Sequence, residues 1–126
     1  MTSGLPRFPP YPIRGVRVLH VKQNCAPHFA LIVVDFEPAD EGVAFEVAEG
    51  LTPDYEPAGD LPGFFAAVAA GIEEQLGLPE HGVVAATRVV LRQARAEAVG
   101  SHRLAFKIAG YTAARKALEQ ALPPPN

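Results

Sequence analysis

The spacing of apolar positions changes along this chain, and each change marks an element. From Arg14 to Lys22 the chain alternates, with Val16 and Val18 on one side and Arg17, Leu19 and Val21 on the other, which predicts a first strand. After a break at Gln23, Asn24 and Pro27, the run His28 to Phe36 (HFALIVVDF) is rich in β-branched and aromatic residues. Its near-continuous apolarity predicts a central strand covered on both faces. Pro38, Asp40 and Gly42 make a turn. Val43, Phe45 and Val47 then alternate with Ala44 and Glu46 in a third strand, expected to pair antiparallel with the second.

Residues 49–60 (EGLTPDYEPAGD) hold proline, glycine and acidic residues and read as a loop. Asp60 is then placed to cap a helix that tolerates Pro62 in its first turn and runs through Leu76, with Leu61, Phe64, Phe65, Val68, Ile72 and Leu76 as its buried face. Gly77 ends it, and Pro79 follows. Gly82 to Leu91 (GVVAATRVVL) predicts a fourth strand, and Arg92 to Gly100 a polar connection. The last element spans Ser101 to Ala121, where Leu104, Ala105, Ile108, Ala109 and Thr112 recur at helical spacing and Arg103, Lys107 and Arg115 fall opposite them. Its small residues Ala109, Gly110, Ala113 and Ala114 predict a close approach to the sheet. The order is β-β-β-α-β-α. The expected architecture is a two-layer α/β (α+β) sandwich, a mixed four-stranded sheet with two helices on one face.

Residues 1–13 carry Pro6, Pro9, Pro10 and Pro12 and read as an extended arm, draped on the surface or disordered, in which PRFP matches a P-x-x-P pattern without further support. Residues 14–122 form the single expected domain and 123–126 a proline-rich tail. With 126 residues, 48% of them hydrophobic and 20% charged, the chain suits one core and not two. It shows no apolar run long enough for a signal peptide or a bilayer span, so a cytoplasmic, membrane-free protein is expected.

Charge changes the picture more than composition does. Residues 1–34, 35–80 and 81–126 carry +4, −12 and +5, which make up the net charge of −3. Two outcomes follow: a molecule with one acidic and one basic end, or blocks that fold against one another so that their fields cancel.

Two local sequences and the element order are similar to a known family. GIEEQLG (Gly71 to Gly77) on the first helix and LAFKIAGYTAARKA (Leu104 to Ala117) on the second resemble domain IV of bacterial translation elongation factor G and of the ribosomal-protection proteins. An apolar strand ending in a proline turn (VVDFEP, Val33 to Pro38) and the Val-x-Phe-x-Val strand after it fit the same pattern, so the resemblance covers roughly residues 14 to 121. It implies a stand-alone homologue of that domain, with a left-handed βαβ crossover, an exception to the usual hand. It also implies two tip loops of the kind that, in the elongation factor, enter the decoding centre of the small ribosomal subunit while a separate GTPase domain supplies energy. This chain departs from the family at the tip. The first loop, Gly-rich in the family, is here QNCAPH (Gln23 to His28), and of the second loop's His, acidic and serine positions, aligned with Glu97, Gly100, Ser101 and His102, only Ser101 matches. With no G-x-x-x-x-G-K-[ST] either, neither GTP binding nor translocase activity is expected.

If the resemblance holds, Lys22 to His28 and Arg92 to Arg103 project from one end of the sheet. They offer Lys22, Asn24, His28, Arg92, Arg95, Ser101, His102 and Arg103 for phosphate and ribose contacts, beside a helix N-terminus near Ser101. Net acidity and the lack of an aromatic stacking platform in these loops weigh against it. Cys25 and His28 have C-x-x-H spacing, but His20, His81 and His102 form no second ligand pair, so no metal site and no cofactor are expected. The lone Cys25 lacks the features of a nucleophile. Glu73 and Glu74 point about 100° apart on their helix, which rules out an acid/base dyad. The expectation is a non-enzymatic binding module that contacts ribosomal or other structured RNA. The alternative is a protein-interaction module that uses the acidic 35–80 block to bind a basic partner or to self-associate.

Overall fold

The proline-rich arm enters the core at its eighth residue. In the computed structural model, which describes residues 4–51 and 53–121, Arg7–Phe8 form a short strand, β1. Phe8 is fully buried, edge-on to Phe36 with ring centroids 5.9 Å apart. At Arg7–Phe8 the arm is therefore part of the fold, and the sheet has five strands and not four. The remaining elements are β2 (Ile13–Lys22), β3 (His28–Pro38), β4 (Gly42–Val47), α1 (Leu61–Leu76), β5 (Val84–Arg95) and α2 (Arg103–Ala121). The expected 123–126 tail lies outside the described residues.

β2 pairs antiparallel with β3, and β3 antiparallel with β5. The third predicted strand does not pair as expected. β4 runs parallel to β5, with Val89 facing Phe36 of β3 on one edge and Phe45 of β4 on the other, so β5 is inserted between them. Ala39 to Glu41 carry the chain across β5, and the Ala39 N–H donates to the Ala86 carbonyl at 2.9 Å. Two inter-strand spacings, about 10 Å, are within reach of so few extended residues. A short connection therefore does not require a hairpin. The parallel β4–α1–β5 unit is the crossover, and β1 adds two parallel residues at the start of β5.

One face of the sheet packs on the helices through Val16, Val18, Ile32, Val34, Val89 and Leu91, all buried. The other face is open. β3 is consequently not covered on both sides: Phe29, Leu31 and Val33 on its outward face are only half-buried. On this outward face β5 is covered locally at Val90, 1% exposed between its inward neighbours Val89 and Leu91, while Arg88 and Arg92 on the same face are exposed. β5 also runs four residues beyond the predicted end, so Arg92 and Arg95 belong to a strand and not to a loop.

The helix pair corrects the reading of α2. Its buried residues are Ala105, Phe106, Ala109, Gly110, Ala113, Ala114, Ala117 and Leu118, whereas Leu104 is 55% exposed and Ile108 and Thr112 half-buried. Size, more than hydrophobicity, selects this face. A Cβ at Gly71 of α1 would overlap the Lys107 carbonyl oxygen, and one at Gly110 would overlap the Val68 carbonyl oxygen. The two backbones meet with no side chain between them, so the close approach is helix to helix. Phe64 stacks on Phe106 beside this contact, centroids 4.8 Å apart and 10° from parallel. Gln75, 2% exposed, donates to the Tyr111 carbonyl at 3.2 Å and bonds His81 at 2.7 Å, so its burial leaves no polar atom unpaired. None of the described helices is long and apolar enough to cross a membrane.

Gly71→Ala and Gly110→Ala test the helix contact through their sign. Helix propensity alone favours Ala over Gly by about 1 kcal/mol, while forced separation of packed helices costs roughly 1–3 kcal/mol or more. Both substitutions are expected to lower the midpoint of urea unfolding. A rise in midpoint for either would show that the helices do not touch there.

Candidate nucleic-acid interface at the tip of the sheet

Two connections meet at one end of the sheet. Residues 23–27 join β2 to β3, and residues 96–102 join β5 to α2. The Phe29 N–H donates to the Gly100 carbonyl at 2.8 Å, and the Ser101 hydroxyl donates to the Phe29 carbonyl while accepting the Glu97 N–H, both at 2.8 Å. Gly100 has φ +100°, and a Cβ there would lie 3.0 Å from the His28 carbonyl carbon and from the Phe29 nitrogen, so conformation and space both require glycine. The expected juxtaposition of the two loops is therefore present, and the backbone holds it.

His102 completes the joint. It precedes the first turn of α2, and its Nδ1 accepts the Ala105 N–H at 3.2 Å, the bond that an N-cap side chain makes to the third helical residue. Its Nε2–H donates to the Pro27 carbonyl at 3.2 Å. Ser101, the residue type better suited to capping, is spent on closing the loop, which moves the helix start from the expected Ser101 to Arg103. The His28 ring lies edge-on to His102, centroids 4.6 Å apart, and bonds His20 through its Nδ1 at 2.9 Å. His20 was not among the expected site residues. The hairpin register, in which Lys22 faces His28 and His20 faces Ala30, makes His20 and His28 diagonal neighbours on one face. Burial lowers the pKa of both; His102 and Lys22 lower both further, and His28 also lowers that of His20.

The expected contact residues divide into three groups. Lys22 and Asn24 are exposed at the tip, and Asn24 closes its own turn by accepting the Ala26 N–H at 2.8 Å. Arg103 is exposed on the shoulder toward the start of α1, where its guanidinium lies over Gly63. Arg95, at the end of β5, lies over the Phe29 ring and donates to Glu97 at 3.0 Å, so its charge is partly matched. His28, Ser101 and His102 are half-buried and engaged in the joint. Arg92 is the correction. It sits within β5 on the open sheet face, where its Nε donates to Asp35 at 2.7 Å; Asp35, 5% exposed, also accepts the Gly15 N–H at 2.8 Å. Arg92 neutralises a buried carboxylate and is away from the loops.

The charge blocks are folded together. Of the five ion pairs among the described residues, four join the acidic block to a terminal block: Arg14–Glu37, Arg88–Glu46, Arg92–Asp35 and Lys107–Glu74. Hydrogen bonds from Arg14 and Arg88 hold Glu37 and Glu46 below the usual carboxylate range. Of the two outcomes posed by the sequence, the pairing favours cancellation across the strands. Glu49, Asp54, Glu56 and Asp60 stay exposed on the loop after β4, outside these pairs. Cys25 is exposed in the tip turn, and no group of three or more His, Cys, Asp or Glu suited to a metal ion occurs among the described residues.

No family model matches the chain, and no curated protein matches it. Among solved structures, a crystal structure of a protein from Thermus thermophilus is similar, with a TM-score of 0.68 at 20% sequence identity over 96% of this chain. This chain covers 18% of that protein's length. At that identity the likeness shows the fold alone.

Separate roles for the arginines are measurable. Arg92→Ala leaves the Asp35 carboxylate buried with one partner and is expected to cost about 1–3 kcal/mol in urea unfolding. Lys22→Ala and Arg103→Ala, on exposed groups, are expected to stay within about 0.5 kcal/mol of the parent. A second check uses pH. A carboxylate with lowered pKa stabilises the fold above its unfolded pKa and loses that contribution as pH falls through the folded one. Glu37→Gln is therefore expected to lower stability slightly at pH 7 and to match the parent in acid below the ordinary carboxylate range.

Proposed function

We propose that this protein is a binding module, not an enzyme, that resembles elongation factor G domain IV and contacts structured RNA, with the small ribosomal subunit as the first candidate, through the tip. The observation that carries the reading is the backbone joint between residues 23–27 and 96–102. It presents Lys22, Asn24 and the start of α2 from one rigid end, with Arg95 and Arg103 beside them. Exposed cations and backbone N–H groups at a helix start suit phosphate oxygens. The sequence motifs in α1 and α2 carry the domain IV resemblance, and the two-layer α/β fold that it implies is the fold observed. Chemistry at the site points the same way. Ser101 and His102 are consumed by the joint, and no activated nucleophile stands beside them.

A second reading has its own observation. Glu49, Asp54, Glu56 and Asp60 remain exposed on a loop anchored by Tyr55 against Phe64, with ring centroids 5.5 Å apart. That loop suits a basic protein partner.

Co-sedimentation with small ribosomal subunits across a salt series separates the two. Tip binding predicts an affinity that falls as salt rises and drops about ten-fold in Lys22→Glu/Arg103→Glu, while Asp54→Asn/Glu56→Gln/Asp60→Asn binds at least as well as the parent. Binding unchanged by the first variant and lost in the second would overturn the tip reading in favour of the acidic loop.

A further inference from the structure

His20, His28 and His102 come from three different elements and meet under the tip. His20 is on β2, His28 opens β3 and His102 precedes α2, with successive ring centroids 5.1 and 4.6 Å apart. Two of their hydrogen bonds depend on an unprotonated ring nitrogen as acceptor. In the His20–His28 bond one nitrogen donates and the other accepts, at 2.9 Å. That bond survives one proton on the pair, because an imidazolium still donates to a neutral imidazole, and is lost with two, because both facing nitrogens then carry hydrogen. A proton on His102 Nδ1 removes the acceptor for the Ala105 N–H and uncaps α2.

Among the described residues, the charges that act on the His20–His28 pair are cationic. From β2, the charged group facing the cluster is Lys22, a cation. From β3 and α2 come the other histidines, and Arg103 follows on the first turn of α2. The 96–102 loop brings Glu97, which is held by Arg95 at 3.0 Å. Cys25 in the turn is an exposed thiol. A second proton on the His20–His28 pair therefore enters a half-buried site among cations.

We propose that the histidine cluster is a pH-sensitive latch: neutral rings keep α2 capped and pack His28 of the hairpin against His102 before α2, and protonation uncaps α2 and sets like charges across that contact, which loosens the tip although the His102 Nε2–H bond to the Pro27 carbonyl survives. The direction follows from linkage. The folded pKa of His20 and of His28 lies below the ordinary value, so the closed tip is fully stable above about pH 6.5 and loses stability as pH falls from there toward the folded values. The latch stands apart from RNA binding, because it concerns the protein alone.

Amide hydrogen exchange on the whole protein, expressed as protection factors so that intrinsic pH effects cancel, tests it. Between pH 7.5 and 5.5 the Phe29 and Ala105 amides are expected to lose protection at least ten-fold, while Ile32 and Val34 in the core of β3 keep theirs. In His20→Gln/His28→Gln/His102→Asn, where Gln and Asn keep hydrogen bonding and Asn keeps a capping oxygen, protection at Phe29 and Ala105 is expected to be independent of pH. Equal protection at both pH values in the parent would overturn the latch, and so would the same loss in the variant. Should the variant not fold, ring titrations of the parent by NMR decide the matter. His20 and His28 midpoints below that of free histidine, tracked by the Phe29 amide shift, support the latch, and midpoints at or above it overturn it.

Discussion

The contact of two helix backbones through Gly71 and Gly110 sets the spacing of everything above the sheet. With carbonyls of each helix seated where the other has no side chain, α1 and α2 act as one layer. The small residues Ala109, Ala113, Ala114 and Ala117 then carry α2 down onto the core. Close packing of this kind tolerates little displacement, since an added methyl has no free volume to enter. The contact also orients the start of α2, because the Phe64–Phe106 stack lies one turn before Gly110 and fixes the segment that follows His102.

The tip inherits that rigidity. Ser101 and Gly100 tie the start of α2 to β3, His102 ties it to Pro27, and His28 ties back to β2. Loops held by this many backbone bonds present their exposed groups in one arrangement, which lowers the entropy lost when a partner binds. Lys22 and Arg103 are exposed on this frame. The serine and two of the histidines, chosen from sequence as contact residues, belong to the frame itself, and Arg92 lies away from it, paired with Asp35 on the open sheet face.

Much of the fold was legible because burial imposes period on sequence. The alternation at Val16 and Val18 and the spacing of Phe64, Val68, Ile72 and Leu76 placed a strand and a helix correctly. Where reasoning from pattern failed, the deciding term was not hydrophobicity. α2 turned its alanines and glycine inward and left Leu104 outside, because close approach to α1 favours small residues over large ones. β4 crossed over β5, because strand pairing depends on which edge is vacant and no local pattern encodes that. Phe8 filled the core from within a proline-rich arm, a single aromatic residue with no periodicity to announce it. At the tip, the joining of the two loops was expected from the family resemblance, but His20 and the Asp35–Arg92 pair needed the register of β2, β3 and β5.

The single cysteine gives the most direct test of the central claim, that the tip is the surface offered to RNA. Cys25 is exposed in the 23–27 turn, so a short photo-crosslinker attached there reports what the tip touches in a complex with small ribosomal subunits. The account predicts salt-sensitive cross-links to ribosomal RNA from Cys25, and few from the same probe placed on the acidic loop in Cys25→Ser/Asp54→Cys. Cross-links to RNA from the acidic loop with none from Cys25 would contradict it.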